Sequence, residues 1–121
     1  MDNRFPANRR LKNKSDIQAV YARGDIYRGK RLVFFRDKSR GLPDDENQPP
    51  LSRFCVVASK KCGNAPKRNR IKRLLRDIIR KNLFRVGAGF DYIIQAKPET
   101  IEDKVKQDDF LADFKAYFDW N

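Results

Sequence analysis

Between Asn64 and Lys81 lies the stretch that most restricts what this chain can fold into. Ile71, Leu74, Leu75, Ile78 and Ile79 stand at i, i+3, i+4, i+7 and i+8, which places them in one stripe about 140° wide on a helix turning about 100° per residue. Asn64 can cap the helix, and Pro66 is tolerated in a first turn, where its missing donor has no partner to lose. Lys72, Arg76, Asn69, Arg80, Arg73, Arg70 and Lys81 fill the remaining surface. A helix of this kind must pack one face on a sheet and present the other as a row of cations.

Helices that serve only solubility mix their signs, because an acid at i±4 from a base adds about 0.2–0.5 kcal/mol per pair and like charges subtract a similar amount. Six of those seven polar positions are cationic and none is acidic. The pattern is locally unfavourable, which favours an anion-binding face over a solvated one. Arg outnumbers Lys on it, as suits forked hydrogen bonding to phosphate.

The whole chain shares the bias. It has 121 residues, one domain's worth, with 28 Lys and Arg against 16 Asp and Glu and a net charge of +12. Residues 1–98 hold 25 basic and 9 acidic side chains, whereas 99–121 hold 3 and 7. A polyanion-binding surface is therefore built from the first four-fifths, and nucleic acid is the leading partner class. The absence of histidine excludes Ser-His-Asp and Cys-His catalysis, His-ligated zinc and imidazole acid–base chemistry. Cys55 and Cys62 are too few for a disulfide framework and read as reduced thiols. No apolar run approaches the ~20 residues of a membrane span, and Met-Asp-Asn-Arg-Phe-Pro opens no signal peptide. The expectation is a basic protein of the cytoplasm.

Residues 1–14 form a basic, aperiodic arm whose uncompensated charge favours disorder. Ser15-Asp16-Ile17-Gln18 has the form of a capping box, Ile17, Val20 and Tyr21 follow helical spacing, and Gly24 is expected to end that helix in a left-handed turn. Arg31 to Arg36 and Arg53 to Ser59 read as strands, paired as an antiparallel hairpin across the loop 38–52. The acids Asp44, Asp45 and Glu46 in that loop match no calcium-loop spacing and read as solvated. Asp91 to Ala96 is a third strand. From Asp108, the positions of Phe110, Leu111, Phe114, Tyr117 and Phe118 mark an amphipathic helix, with Asp108 and Asp109 at its positive end.

Lys60-Lys61-x-Gly63-Asn64-Ala65-x-Lys67-Arg68-Asn69-Arg70-Ile71-Lys72-Arg73-Leu74-Leu75-Arg76 closely resembles the signature of the bacterial ribonuclease P protein family. Arg4-Phe5-Pro6 to Arg10-Leu11 is similar to that family's basic arm, Asp16 to Gly24 to its first helix, and Asp91-Tyr92-Ile93-Ile94 to its last strand. Residues 99–121 match only as a generic final helix.

The resemblance implies a single α/β (α+β) domain in the order α-β-β-β-α-β-α, with a central mixed sheet packed by helices. It is similar to the second domain of a small-subunit ribosomal protein and has a left-handed βαβ crossover, against the usual hand. A short strand near Ile26 to Gly29 completes the count. The implied function is that of the small partner of a catalytic RNA that removes the 5′ leader from precursor tRNA. Catalysis then belongs to that RNA and its Mg2+, and the chain itself supplies no catalytic residue and binds no metal. Contact with the catalytic RNA falls, by motif match, to Lys60, Lys61, Arg68, Asn69, Arg70, Lys72, Arg73 and Arg76, through backbone neutralisation. Asn69 has two open roles, an RNA contact or a structural hydrogen bond. The leader cleft falls to Ile17, Tyr21, Val33, Phe35 and Val57, since single strands are held by aromatic faces set beside cations. Ordinary core packing competes for each of these. Ile17 stands where the family commonly has an aromatic, and Cys62 where it often has an aliphatic residue. The expected assembly is one copy per RNA, away from membranes.

Three other classes remain at this stage. A ribosomal or general RNA-binding protein would use the same helix on another structured RNA. A helix-turn-helix DNA binder is disfavoured by the strand-rich flanks, and an autonomous nuclease by the lack of histidine and of carboxylates, Asp77 excepted, within the basic stretch.

Overall fold

The computed structural model describes residues 5–43 and 45–121. Its elements are α1 (Lys14–Arg23), β1 (Asp25–Arg28), β2 (Leu32–Lys38), β3 (Arg53–Val57), α2 (Ala65–Lys81), β4 (Phe90–Ala96) and α3 (Gln107–Phe118), with short 3-10 turns between them. Their sequence is the expected α-β-β-β-α-β-α. The four strands form one mixed sheet in the order β1-β2-β4-β3.

That order corrects the hairpin expectation. β2 and β3 do not pair; β4 lies between them, antiparallel to β2 and parallel to β3. The reason is burial. Tyr92, Ile93 and Ile94 are each at most 4% exposed, and a strand buried on both faces suits the middle of the sheet, paired along both edges and lying under both helical layers.

The strands alternate cleanly. Leu32, Phe34, Phe54, Val56, Tyr92 and Ile94 face the larger core, where they meet Ile71, Leu75, Ile78 and Ile79 of α2 and Phe110 and Phe114 of α3. The helical stripe read from the sequence is thus the packing face, with Leu74 at its partly buried margin. The opposite sheet face holds a smaller cluster of Leu11, Val20 and Ile93, with Ile17, Phe35, Cys55 and Val57 packed against it. Among the described residues, α1 and the segment before it cover this second face.

Details around α1 differ from expectation. Asn13 caps it, its side chain accepting from the backbone N–H groups of Ser15 and Asp16 at 2.9 and 3.3 Å. The Ser15–Gln18 capping box does not form, because the helix has already begun at Lys14. Gly24 is extended (φ −69°, ψ 153°), not left-handed. It is needed for close approach, since a Cβ there would sit 2.5 Å from the Val20 carbonyl oxygen and 2.9 Å from that of Arg36. Residues 5–11 also pack against the sheet, which the charge of the arm does not imply. Phe5 and Leu11 are buried, Leu11 N–H donates to the Phe54 carbonyl at 2.9 Å, and Arg10 bridges Phe54 in parallel. The arm therefore covers the outer edge of β3. Residues 1–4 and Asp44 lie outside the described residues; Asp45 and Glu46 are exposed.

Residues 99–121 are tied in by a buried carboxylate. Asp113 on α3 accepts from the backbone N–H groups of Lys30, Arg31 and Leu32 at 3.2, 2.8 and 2.9 Å. Gly29 begins that turn, and a Cβ on it would lie 2.6 Å from Asp113 Oδ2. The pair locks the β1–β2 turn to the last helix. Replacing Asp113 by Ala strands three donors, so Asp113→Ala should lower stability by about 3 kcal/mol, read as a lower urea midpoint at unchanged slope.

Candidate RNA interface

Two surfaces meet at β3. The first is the half-open sheet face. Register places Val33, Gln95 and Val57 in one row across β2, β4 and β3, and Phe35, Ile93 and Cys55 in the next. On β1, Arg28 pairs with Val33 and Ile26 with Phe35, which carries both rows to the sheet edge. Tyr21 leans over them from α1. Its ring meets Phe35 edge-on at 4.9 Å, and its hydroxyl donates to Gln95 Oε1 at 2.9 Å. Tyr21 is 41% and Ile26 46% exposed. The fold thus brings Ile17, Tyr21, Phe35 and Val57 together, with Val33 on the same face. Ile17 packs into the cluster beneath, so the accessible ring on α1 belongs to Tyr21.

Burial pushes the Tyr21 phenol above its ordinary pKa, with Cys55 adding to the rise. It therefore remains a hydrogen-bond donor at neutral pH. The Cys55 thiol is likewise raised by burial, while Arg76 and Lys72 pull it down. It stays protonated at neutral pH, and Cys55 and Arg76 line one cleft beside β3.

The second surface is α2 and the loop before it. Ser59 leads into a 3-10 turn, Lys60–Cys62, whose two lysines are exposed while Cys62 is 2% exposed in the core. Cys62 therefore acts as a volume filler. Gly63 follows at φ 136°, a backbone conformation that favours glycine. Asn64 caps α2 by accepting from Lys67 N–H at 3.0 Å, so the cap is not Asn69. Asn69, Arg73 and Arg76 are exposed, and Lys72 is half-buried.

Arg68 and Arg70 are less free than the motif suggests. Both are half-buried, and Arg70 donates to the Val105 carbonyl at 2.6 Å. Lys67 similarly holds the Ile101 carbonyl and Asp103, each at 3.0 Å. These contacts bind the C-terminal segment to the start of α2, so Arg70 has a structural role alongside any RNA contact.

Farther along, an open groove of about 630 Å3 runs between α2 and the N-terminal arm. Arg10, Arg73, Arg76 and Arg80 line it above Phe5 and Leu74. The sequence places Arg10 only in a basic arm and Arg80 only on the cationic helix face, outside the motif-matched contacts; their meeting here depends on the arm docking against β3. Asp77 lies at this groove but is occupied by Arg80 at 2.6 Å, Lys81 at 2.9 Å and Gln107 at 2.7 Å.

A further group went unread. Asp91 is fully buried, paired through both oxygens with Arg53 at 2.9 and 2.8 Å and hydrogen-bonded by Ser39 at 3.0 Å. Arg53 also reaches Asp16 at 3.1 Å, which anchors the start of α1 to the sheet. The sequence signal was a charge heading each of two buried strands, since neither charge is sustainable there alone.

The comparisons with known proteins agree with this architecture. The family model described as Ribonuclease P matches residues 5–119. Among relatives, the ribonuclease P protein component of Fusobacterium nucleatum is 39% identical over 112 residues, covering 89% of this chain and 92% of its own length. That of Microcystis aeruginosa is 38% identical over 112 residues, covering 92% and 88%. Of solved structures, the Staphylococcus aureus RNase P protein superposes with a TM-score of 0.71 at 21% identity, over 89% of this chain and 90% of that one. The Thermotoga maritima RNase P protein gives 0.66 at 23%, over 88% and 96%.

The Asp77 cluster has a pH signature. Burial alone would raise its carboxyl, but hydrogen bonds from Gln107, Lys81 and Arg80 outweigh that and hold it at about 2. An unfolded-state Asp titrates near 3.9, so the stabilisation is complete above about pH 4 and is lost as pH falls towards about 2. The stability difference between the native chain and Asp77→Asn, followed by urea unfolding, should shrink across that window.

Proposed function

Because the chain belongs to the ribonuclease P protein component family, and so forms part of the holoenzyme that matures tRNA 5′ ends, we propose how its two surfaces divide the work. The basic loop and helix bind the catalytic RNA through Lys60, Lys61, Arg68, Asn69, Arg70, Lys72, Arg73 and Arg76. Arg10 and Arg80 extend that face along the groove. The half-open sheet face holds the single-stranded 5′ leader of precursor tRNA, with Tyr21 and Phe35 as stacking surfaces and Val33, Val57 and Ile17 as apolar floor.

The observation that carries this reading is adjacency. The cations of α2 and the aromatic-lined sheet face flank the same strand, β3, where Arg76 and Cys55 line one cleft. A leader lying on the sheet therefore runs beside the catalytic RNA held on the helix. The chain's own residues bind and orient; they place no nucleophile or general base at the scissile phosphate. Mg2+ bound by the RNA supplies stabilisation of the developing charge. One copy of the protein serves one RNA, in the cytoplasm. Among the described residues no helix is long and apolar enough to cross a membrane.

Two measurements test the two surfaces separately. Removing phosphate contacts by Arg73→Ala with Arg76→Ala should weaken assembly with the catalytic RNA and lower the salt slope by roughly one unit per lost contact. An unchanged slope would place these arginines off the RNA. Phe35→Ala should weaken holoenzyme binding of precursor tRNA but not of mature tRNA. Equal losses would make Phe35 ordinary core.

A further inference from the structure

Of the nine phenylalanines, eight are buried or half-buried and Phe84 is 81% exposed. It stands in the 3-10 turn Leu83–Arg85, which follows α2 directly. The turn is held at both ends. Asn82 N–H donates to the Ile79 carbonyl at 3.0 Å, and its side-chain amide to that of Ile78 at 2.8 Å. Arg85 and Val86 N–H close the turn on the carbonyls of Asn82 and Leu83 at 2.9 and 3.2 Å. Leu83 and Val86 pack against the larger core. Residues three apart eclipse in a 3-10 turn, so with 83 and 86 turned inward, position 84 is turned out. A polar side chain would serve there, and nothing in the packing requires a ring.

The surroundings are cationic. The Arg85 guanidinium lies 5.5 Å from the Phe84 ring centroid and 5.8 Å from that of Trp120. Asn69, Arg73, Arg76 and Arg80 recur at helical spacing along the outer face of α2, and Phe84 stands four residues beyond Arg80. The ring therefore continues the cationic face of the helix past its last turn. We propose that Phe84 is a stacking platform for one unpaired base of the catalytic RNA, with Arg85 on an adjoining phosphate. The proposal rests on the reading of α2 as the face that binds that RNA. Every base has a π-face, and an aromatic set beside cations holds a base while the cations hold its backbone. Bases inside an A-form helix are stacked on both sides, so the partner is a nucleotide splayed from a loop, bulge or junction. A neutral ring adds affinity without releasing counterions, whereas an arginine on a phosphate releases them.

The test is assembly of the protein with its cognate catalytic RNA, titrated across a range of salt concentrations. Phe84→Ala should weaken assembly by about five- to a hundredfold, the range of one stacked base, at an unchanged salt slope. Phe84→Tyr should restore native affinity, and Phe84→Leu, apolar but without a π-face, should not. Arg85→Ala should lower the salt slope by about one unit. The urea midpoints of the Phe84 variants should stay at the native value, because the side chain is exposed. Chemical probing of the RNA bases should find one unpaired nucleotide protected by the native chain and open with Phe84→Ala. Native affinity in Phe84→Ala, equal rescue by Leu and Tyr, or a loss confined to self-association of the free protein would overturn the proposal. Arg73→Ala with Arg76→Ala in the same titration separates the two failures. Affinity lost there but kept in Phe84→Ala removes only the platform, whereas affinity kept in both removes α2 as the RNA face.

Discussion

Everything in this fold hangs on β4 being covered from both sides. Its residues Tyr92, Ile93 and Ile94 cannot meet water on either face, so the chain must supply two layers. The larger layer is made by α2 and α3. The smaller is made by α1 and residues 5–13, which are too short to cover the whole face. The uncovered remainder is the half-open face on which Tyr21 and Ile26 are exposed. The buried charge at the head of β4 imposes a second requirement. Asp91 recruits Arg53 and through it Asp16, so the neutralisation of one carboxylate also sets where α1 begins over the sheet.

Much of this was legible because the periods were strong. The apolar stripe from Ile71 to Ile79 and the cap at Asn64 each follow from side-chain geometry alone, and each is found. Strand order was not legible. Alternation within β2 and β3 says nothing about what lies between them, and only the continuous burial of β4 argues for the centre. The cap of α1 was misread because two acceptable caps, Asn13 and Ser15, stand two residues apart, and local propensity does not rank them. Gln95 and the Asp91–Arg53 pair went unread because their meaning depends on partners 74 and 38 residues away.

The acidic tail makes sense in the same terms. Val105, Ile101 and Asp103 engage Arg70 and Lys67, and Gln107 engages Asp77. These contacts occupy the flank of α2 that faces α3, leaving Arg73 and Arg76 exposed on the other flank. Asp113 closes the β1–β2 turn from the same helix. The C-terminal residues thus complete the core and leave the cations of α2 exposed on a single side, which is the arrangement a polyanion requires.

The central claim is that this chain assists an RNA catalyst by electrostatics and leader binding rather than by chemistry of its own. The most direct measurement is cleavage of a precursor tRNA by the cognate catalytic RNA at low Mg2+, with and without the protein, alongside the protein alone. The account predicts strong rescue of cleavage by the protein and none from the protein by itself. Absence of rescue by demonstrably folded protein, or metal-dependent cleavage without the RNA, would contradict it.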